Sequence, residues 1–182
     1  METTKWILDP THSELGFKIR HLMITNVSGS ITNFNVKAET KGDDFTTATI
    51  NVTADMSSIS TNNTQRDAHL RNSDFFEVDQ HPEMKFASTR VEQVDSNTFV
   101  LHGNLTLKGI TKPAQLNVEY SPVTRDPWGG ERAGFTINGK IRRTDWGINF
   151  NSVLETGGVA LAEEVRINAE IQMVKQPVAV LA

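Results

Sequence analysis

Cysteine is absent from the 182 residues, which removes disulfides, thiolate nucleophiles and sulfur metal ligands from consideration. Long apolar runs are also missing. No window approaches the ~18 consecutive apolar residues of a membrane-spanning helix, so no integral span is expected. Basic residues are outnumbered, 18 Lys and Arg against 22 Asp and Glu, for a formal charge of −4. A general nucleic-acid binder usually carries a basic face, so that class is excluded, and an anionic membrane surface gains no support as the main partner. The five histidines (His12, His21, His69, His81 and His102) show neither His-x-His nor HExxH spacing, so no metal site is expected. GxSxG, GxGxxG, P-loop and glycosidase-like carboxylate patterns are absent too. The opening METTKWILDPTHSE has no basic segment followed by an apolar one. A cytoplasmic chain is therefore expected, and a periplasmic protein with its leader removed would read the same.

What the chain does have is alternation. Phe99, Leu101, Gly103, Leu105 and Leu107 share one parity, and Val100, His102, Asn104, Thr106 and Lys108 take the other. Ala133, Phe135, Ile137, Gly139 and Ile141 repeat the pattern, as do Val165, Ile167, Ala169, Ile171 and Met173. Successive side chains of a strand point to opposite faces, so each stretch reads as a strand with one dry and one wet face. Strands are expected at residues 14–21, 29–39, 46–55, 84–92, 98–108, 113–121, 132–143 and 163–174. Short turns between most of them favour an antiparallel meander. The fold class is all-β, with the eight strands closing into an antiparallel barrel. An open sandwich is the rival, and it would have two edges to protect. The length fits one domain over residues 1–175, with a loose tail at 176–182.

Two connections are too long to be turns. In the first, Asn62 is placed to cap a short helix from about Asn63 to Arg71, with Gln65 three positions on. Phe75 and Phe76 follow as an aromatic pair. Residues 56–83 and 144–162 thus read as lids or binding loops.

Candidate polar groups follow from the same parity. His21 continues the inward series Leu15, Phe17, Ile19, which points an imidazole into the barrel. Arg143 falls on the inward parity of its strand, where a guanidinium is costly without a partner. A carboxylate (Asp145 or Asp67) or an anionic ligand group would supply one. On a helix, Arg66 and His69 share a face while Asp67 lies to one side. His102 falls on the wet parity and reads as solvated.

Set in order, these residues resemble the YceI-like family of bacterial lipid-binding proteins. The similarity runs through W-x-L-D-P-x-H-S-x-L-x-F (Trp6 to Phe17) and the Ser28-Gly29 turn that opens the second strand. It continues in S-I-S-T-N-N-x-x-R-D-x-H-L-R-N-S-D-F-F (Ser58 to Phe76), H-P-E-M-K-F-A-S-T (His81 to Thr89) and G-N-L-T-L-K-G-I-T-K-P (Gly103 to Pro113). A-G-F (Ala133 to Phe135) and I-R-R-T-D-W-G-I (Ile141 to Ile148) complete it. The resemblance implies an extended, lipocalin-like eight-stranded barrel holding a long isoprenoid or similar lipid, and homodimerisation. Three features depart from the family: the missing signal peptide, the Gly158–Val165 stretch before the last strand, and the tail after Lys175.

The expected activity is carriage or sequestration of a polyisoprenoid-type lipid (an isoprenoid quinone or polyprenyl phosphate) or another long-chain amphiphile, with no cofactor beyond the lipid. Phe17, Ile19, Phe86, Leu101, Leu105, Phe135 and Ile137 would line the lumen, and Gly103, Gly139 and Ala169 would leave room in it. Phe75 and Phe76 belong to the lid, and His21, Arg66, Asp67, His69, Arg143 and Trp146 to the mouth. Two alternatives stand beside this. A small lipid-acting enzyme needs Arg66, Asp67, His69 and His21 to converge, and a stress-response module needs a filled core.

Overall fold

The computed structural model describes residues 2–155 and 157–177. The expected tail therefore lies largely outside the described residues. The strands are β1 (Thr3–Leu8), β2 (Glu14–His21), β3 (Thr25–Ile31), β4 (Phe34–Lys41), β5 (Asp44–Asp55) and β6 (Ile59–Ser60). Helix α1 (Thr64–Arg71) intervenes before β7 (Glu83–Gln93), β8 (Thr98–Leu107), β9 (Ile110–Arg125), β10 (Glu131–Arg142) and β11 (Leu161–Lys175).

Every strand pairing is antiparallel, and β1-β4-β5-β7-β8-β9-β10-β11 forms a ring that closes where Trp6, Ile7 and Leu8 pair with Lys175, Val174 and Met173. β2 continues β1 along the same neighbour, pairing with β11 from Glu14↔Glu170 to His21↔Leu161. β3 and β6 extend β4 and β5 in the same way. Eight long staves, three of them broken, thus make the eight-stranded antiparallel barrel. Closure removes the free sheet edges that a sandwich would have to protect.

The first stave is longer than the alternation suggested, because residues 3–8 are a strand rather than a lone apolar run. Only Trp6 of that segment is fully buried, so no clear period of two marks it. Its indole nitrogen donates to Thr40 Oγ1 at 3.0 Å. Lys175, its partner across the closing pair, places its ammonium 5.4 Å from the ring centroid. The stave breaks at Pro10, whose ring fixes φ and removes a ladder donor, and Asp9 caps the resulting turn through Thr11 N. Ser28 and Gly29 are not a turn but the middle of β3.

The dry parity faces inward as expected. Phe86, Phe99, Leu101, Leu105, Val118, Ala133, Ala169, Ile171 and Met173 are all buried in one cluster. The inward glycines act differently from the expectation that they leave room. A Cβ on Gly103 would sit 2.3 Å from Phe86 Cζ, and one on Gly139 would sit 2.5 Å from Leu116 Cδ2. Neighbouring side chains lie over the bare backbone, so these glycines admit wall side chains rather than open volume.

Candidate binding cavity

A cavity of about 460 Å³ runs inside the barrel, within the ~300–1,000 Å³ usual for small-molecule sites. Its apolar walls come from inward side chains of nearly every stave, among them Phe17, Ile19, Val36, Phe86, Leu101, Leu105, Phe135, Ile137 and Ile171. Among the described residues its polar lining is His21, Thr61, Arg66, His69, Arg143 and Ser152, with no Asp or Glu bordering it. All six belong to one end of the barrel. There β2 finishes, β10 gives way to the 143–160 connection, and a strap of residues 61–81 crosses over.

Asn63 initiates α1 in that strap, with its side chain accepting from Arg66 N at 3.0 Å. The cap is therefore Asn63 rather than Asn62, which takes a positive φ of 61°. Asp67 turns away from the lumen. Its carboxylate accepts the Thr61 amide at 2.8 Å and the Thr61 hydroxyl at 2.6 Å. Arg66 closes the same knot, donating from Nε to Thr61 Oγ1 (2.7 Å) and from Nη2 to Thr61 O (2.9 Å). The His69 ring meets Phe75 and Phe150 edge-on, with centroids 4.9 and 4.8 Å away, while its Nε2 lies 2.8 Å from Asp74 Oδ2. Lys108 Nζ donates to Ser73 O at 2.9 Å, fixing the strap to the β8–β9 turn.

Arg143 is only 4% exposed, and the carboxylate partner expected for it is not there. Its Nε donates to Ala162 O (2.9 Å), and Nη1 donates to Ile148 O (2.9 Å) and Phe150 O (2.8 Å). Asp145 and Asp67 take no part. Burial pulls the guanidinium below its ordinary value, and the charge of Glu163 offsets this in part. The carbonyl dipoles satisfy three N–H groups, no carboxylate among the described residues bonds to the guanidinium, and Glu163 offsets its charge only in part and at a distance.

Of the residues singled out from sequence, Phe17, Ile19, His21, Arg66, His69, Phe75, Phe76, Phe86, Leu101, Leu105, Phe135, Ile137 and Arg143 border the cavity. Asp67 and Trp146 do not. Trp146 is buried at 3% exposure, and its indole nitrogen donates to Leu105 O at 2.9 Å, which anchors the 143–160 connection to the wall. His102 faces outward but is not free in solvent, since its Nε2 lies 2.9 Å from Glu92 Oε2. Thr61, Leu70, Ile148, Phe150 and Ser152 also border the cavity. Leu70 sits in the short helix α1 and the others in irregular connections, where no period of two marks an inward residue.

The fold is thus a closed eight-stranded antiparallel barrel whose apolar lumen has its polar residues at one end. A family model described as the YceI-like domain matches residues 6–173, and the chain belongs to that family. A UPF0312 protein of Staphylococcus epidermidis is 38% identical over 170 residues, covering 93% of this chain and 96% of the relative. A UPF0312 protein of Staphylococcus aureus is 39% identical over the same coverage. Among solved structures, a Campylobacter jejuni YCEI protein superimposes with a TM-score of 0.76 at 30% identity, covering 93% of this chain and 97% of that one. Burkholderia cenocepacia BcnA gives 0.79 at 16% identity, covering 91% and 98%. A polyisoprenoid binding domain from Saccharophagus degradans gives 0.64 at 13%, covering 92% and 97%. At such low identity the last two establish the shared fold alone.

Proposed function

We propose that this protein carries or sequesters one long-chain apolar molecule, of polyisoprenoid type or a comparable amphiphile, without altering it chemically. The observation that carries this reading is the cavity: its walls are hydrocarbon, and polar residues occur only at one end. Each methylene moved from water into such a lumen contributes about 0.8 kcal/mol. A chain of several isoprene or acyl units therefore outweighs its own ordering cost. The fold shared with a domain named for polyisoprenoid binding supports the same ligand class.

The competing readings fare less well. An enzyme built on Arg66, Asp67, His69 and His21 needs these groups free to meet at one reactive atom. Asp67 and Arg66 instead hold Thr61, and His69 faces Asp74. A filled-core module would have no lumen of this size.

Native mass spectrometry of the purified protein, beside mass spectrometry of its organic extract, tests the proposal. One stoichiometric long-chain lipid is the expected result. A lipid-free protein that also takes up neither quinones nor polyprenyl phosphates would overturn it.

A further inference from the structure

Arg143 holds the cavity's one deeply buried charge, and its environment is asymmetric. Nε and Nη1 are spent on three backbone carbonyls, whereas Nη2 has no acceptor among the described residues. No fully enclosed side-chain nitrogen or oxygen among them lacks a hydrogen-bond partner. Nη2 therefore borders open space, and Arg143, only 4% exposed, is itself a lining residue of the cavity. His21 approaches from the other side of β11. It pairs with Leu161, the residue before the Ala162 carbonyl that Arg143 holds. Ser152 also borders the cavity here, and its carbonyl accepts Ala160 N at 2.9 Å. Of the nearby carboxylates, Asp67 holds Thr61, Asp74 faces His69 and Glu163 bonds Arg142 while offsetting the Arg143 charge only in part; Asp145 is exposed and does not border the cavity.

A guanidinium with no directly bonded carboxylate and a free N–H edge at the end of an apolar tunnel favours one kind of ligand atom, an anionic oxygen. A quinone or amide carbonyl satisfies the donor but leaves the charge unbalanced. We propose that this end of the lumen is an oxyanion seat, with Arg143 as the principal contact and His21 and Ser152 beside it. The preferred cargo is then a single-chain lipid with an ionised oxyacid head, a carboxylate or a phosphate monoester. This rests on the carrier reading and narrows it to a ligand class.

Two matched probe pairs test it, each used below the concentration at which it forms micelles. Oleate against oleamide examines a carboxylate head, and geranylgeranyl phosphate against geranylgeraniol examines a phosphate head. The wild-type protein should prefer the anionic member of the better-fitting pair by about 10- to 100-fold, the range of a hydrogen bond to a charged group. Equal or tighter binding of both neutral members overturns the seat and leaves the carrier reading intact. Failure to bind any of the four overturns the seat, and the carrier reading falls with it if quinones and polyprenyl phosphates are refused as well.

Arg143→Met should erase the anionic preference, and a folded variant that keeps it would remove Arg143 from the assignment. That variant could fail to fold, because three carbonyls lose their donor, so a measurement on the wild type stands beside it. With carboxyl-labelled oleate, the NMR titration of the bound head should show a carboxyl that stays ionised below the ordinary carboxylate range. An unshifted or raised titration of the bound head would overturn the proposal.

Discussion

The Asp67 carboxylate accepts both the backbone amide and the hydroxyl of Thr61, at 2.8 and 2.6 Å, with Asp67 8% exposed. This pair ties α1 to the end of β6, and it turns the 61–76 segment into a strap with a fixed fit over the lumen. Asp67→Ala leaves a buried amide without its acceptor, which costs about 1–3 kcal/mol. The urea midpoint should fall accordingly. Hydrogen exchange should accelerate through residues 61–76 while the amides of β8–β11 stay protected. Uniform loss of protection over the barrel would show that the strap and wall unfold as one unit.

A second prediction concerns the rings that lie over glycine. Gly103→Ala would bring its Cβ to 2.3 Å from the Phe86 ring and 2.6 Å from the Ala87 carbonyl. Phe86 packs in the core, and the Ala87 carbonyl is backbone, so neither gives way easily. A loss of about 1–3 kcal/mol is expected from overpacking, read from thermal melts. Combining the change with Phe86→Leu should recover part of it. Full stability in the single variant would contradict the packing of Phe86 across Gly103.

The β2–β3 turn holds Leu22 at φ 53° and Met23 at φ 58°. Residues with a Cβ pay about 1–2 kcal/mol each in that region, and such hairpins prefer Asn-Gly. Replacing Leu22-Met23 by Asn-Gly should raise the thermal midpoint, by an amount corresponding to roughly 1–2 kcal/mol. An unchanged or lower midpoint would show that the two side chains contribute to stability in ways the backbone does not reveal.

Acid should weaken the barrel through its corner at Asp9. The Thr11 hydroxyl and the His12 ring, with Arg132 adding to them, hold that carboxyl far below the usual carboxylate range. Arg132 Nη1 is 2.6 Å from Asp9 and its Nε is 2.8 Å from Asp126, so the corner also ties down the β9–β10 turn. A depressed carboxyl gives stability that is fully present above the unfolded value, near 3.8, and is lost as the pH falls through the folded one. Urea midpoints of the wild type should thus decline between about pH 4 and pH 2. Asp9→Asn should start lower and show a shallower decline there. Parallel profiles for the two proteins would dismiss Asp9 as a source of the acid sensitivity.

The wall was legible in the sequence because a half-buried strand writes its two faces directly into alternate residues, and Phe135 or Leu101 could be assigned inward from parity alone. Trp6 could not, since its segment is short and has one buried position. The roles of Gly103 and Gly139 depend on which side chain lies across the pair, which is a matter of register between strands. Arg143 borders the lumen, but its partners are the carbonyls of Ile148, Phe150 and Ala162. Backbone acceptors carry no residue-type signal, so the sequence points only to a carboxylate such as Asp67 or Asp145, or to an anionic ligand group. Phe150 and Ser152 lie in an irregular connection without a period, and only the folded chain reveals that they border the lumen.

A ring with no free edge also separates two properties that open binding clefts share. Parting two strands would break a ladder in the closed sheet, so a carried lipid would enter and leave at the ends of the barrel. The wall then dictates how much hydrocarbon can be housed. If the lumen carries a lipid as proposed, the strap, held by Asp67 and Thr61 and by the contacts of His69 with Phe75 and Phe150, would govern its dwell time. Natural or designed changes can therefore tune residence without altering capacity.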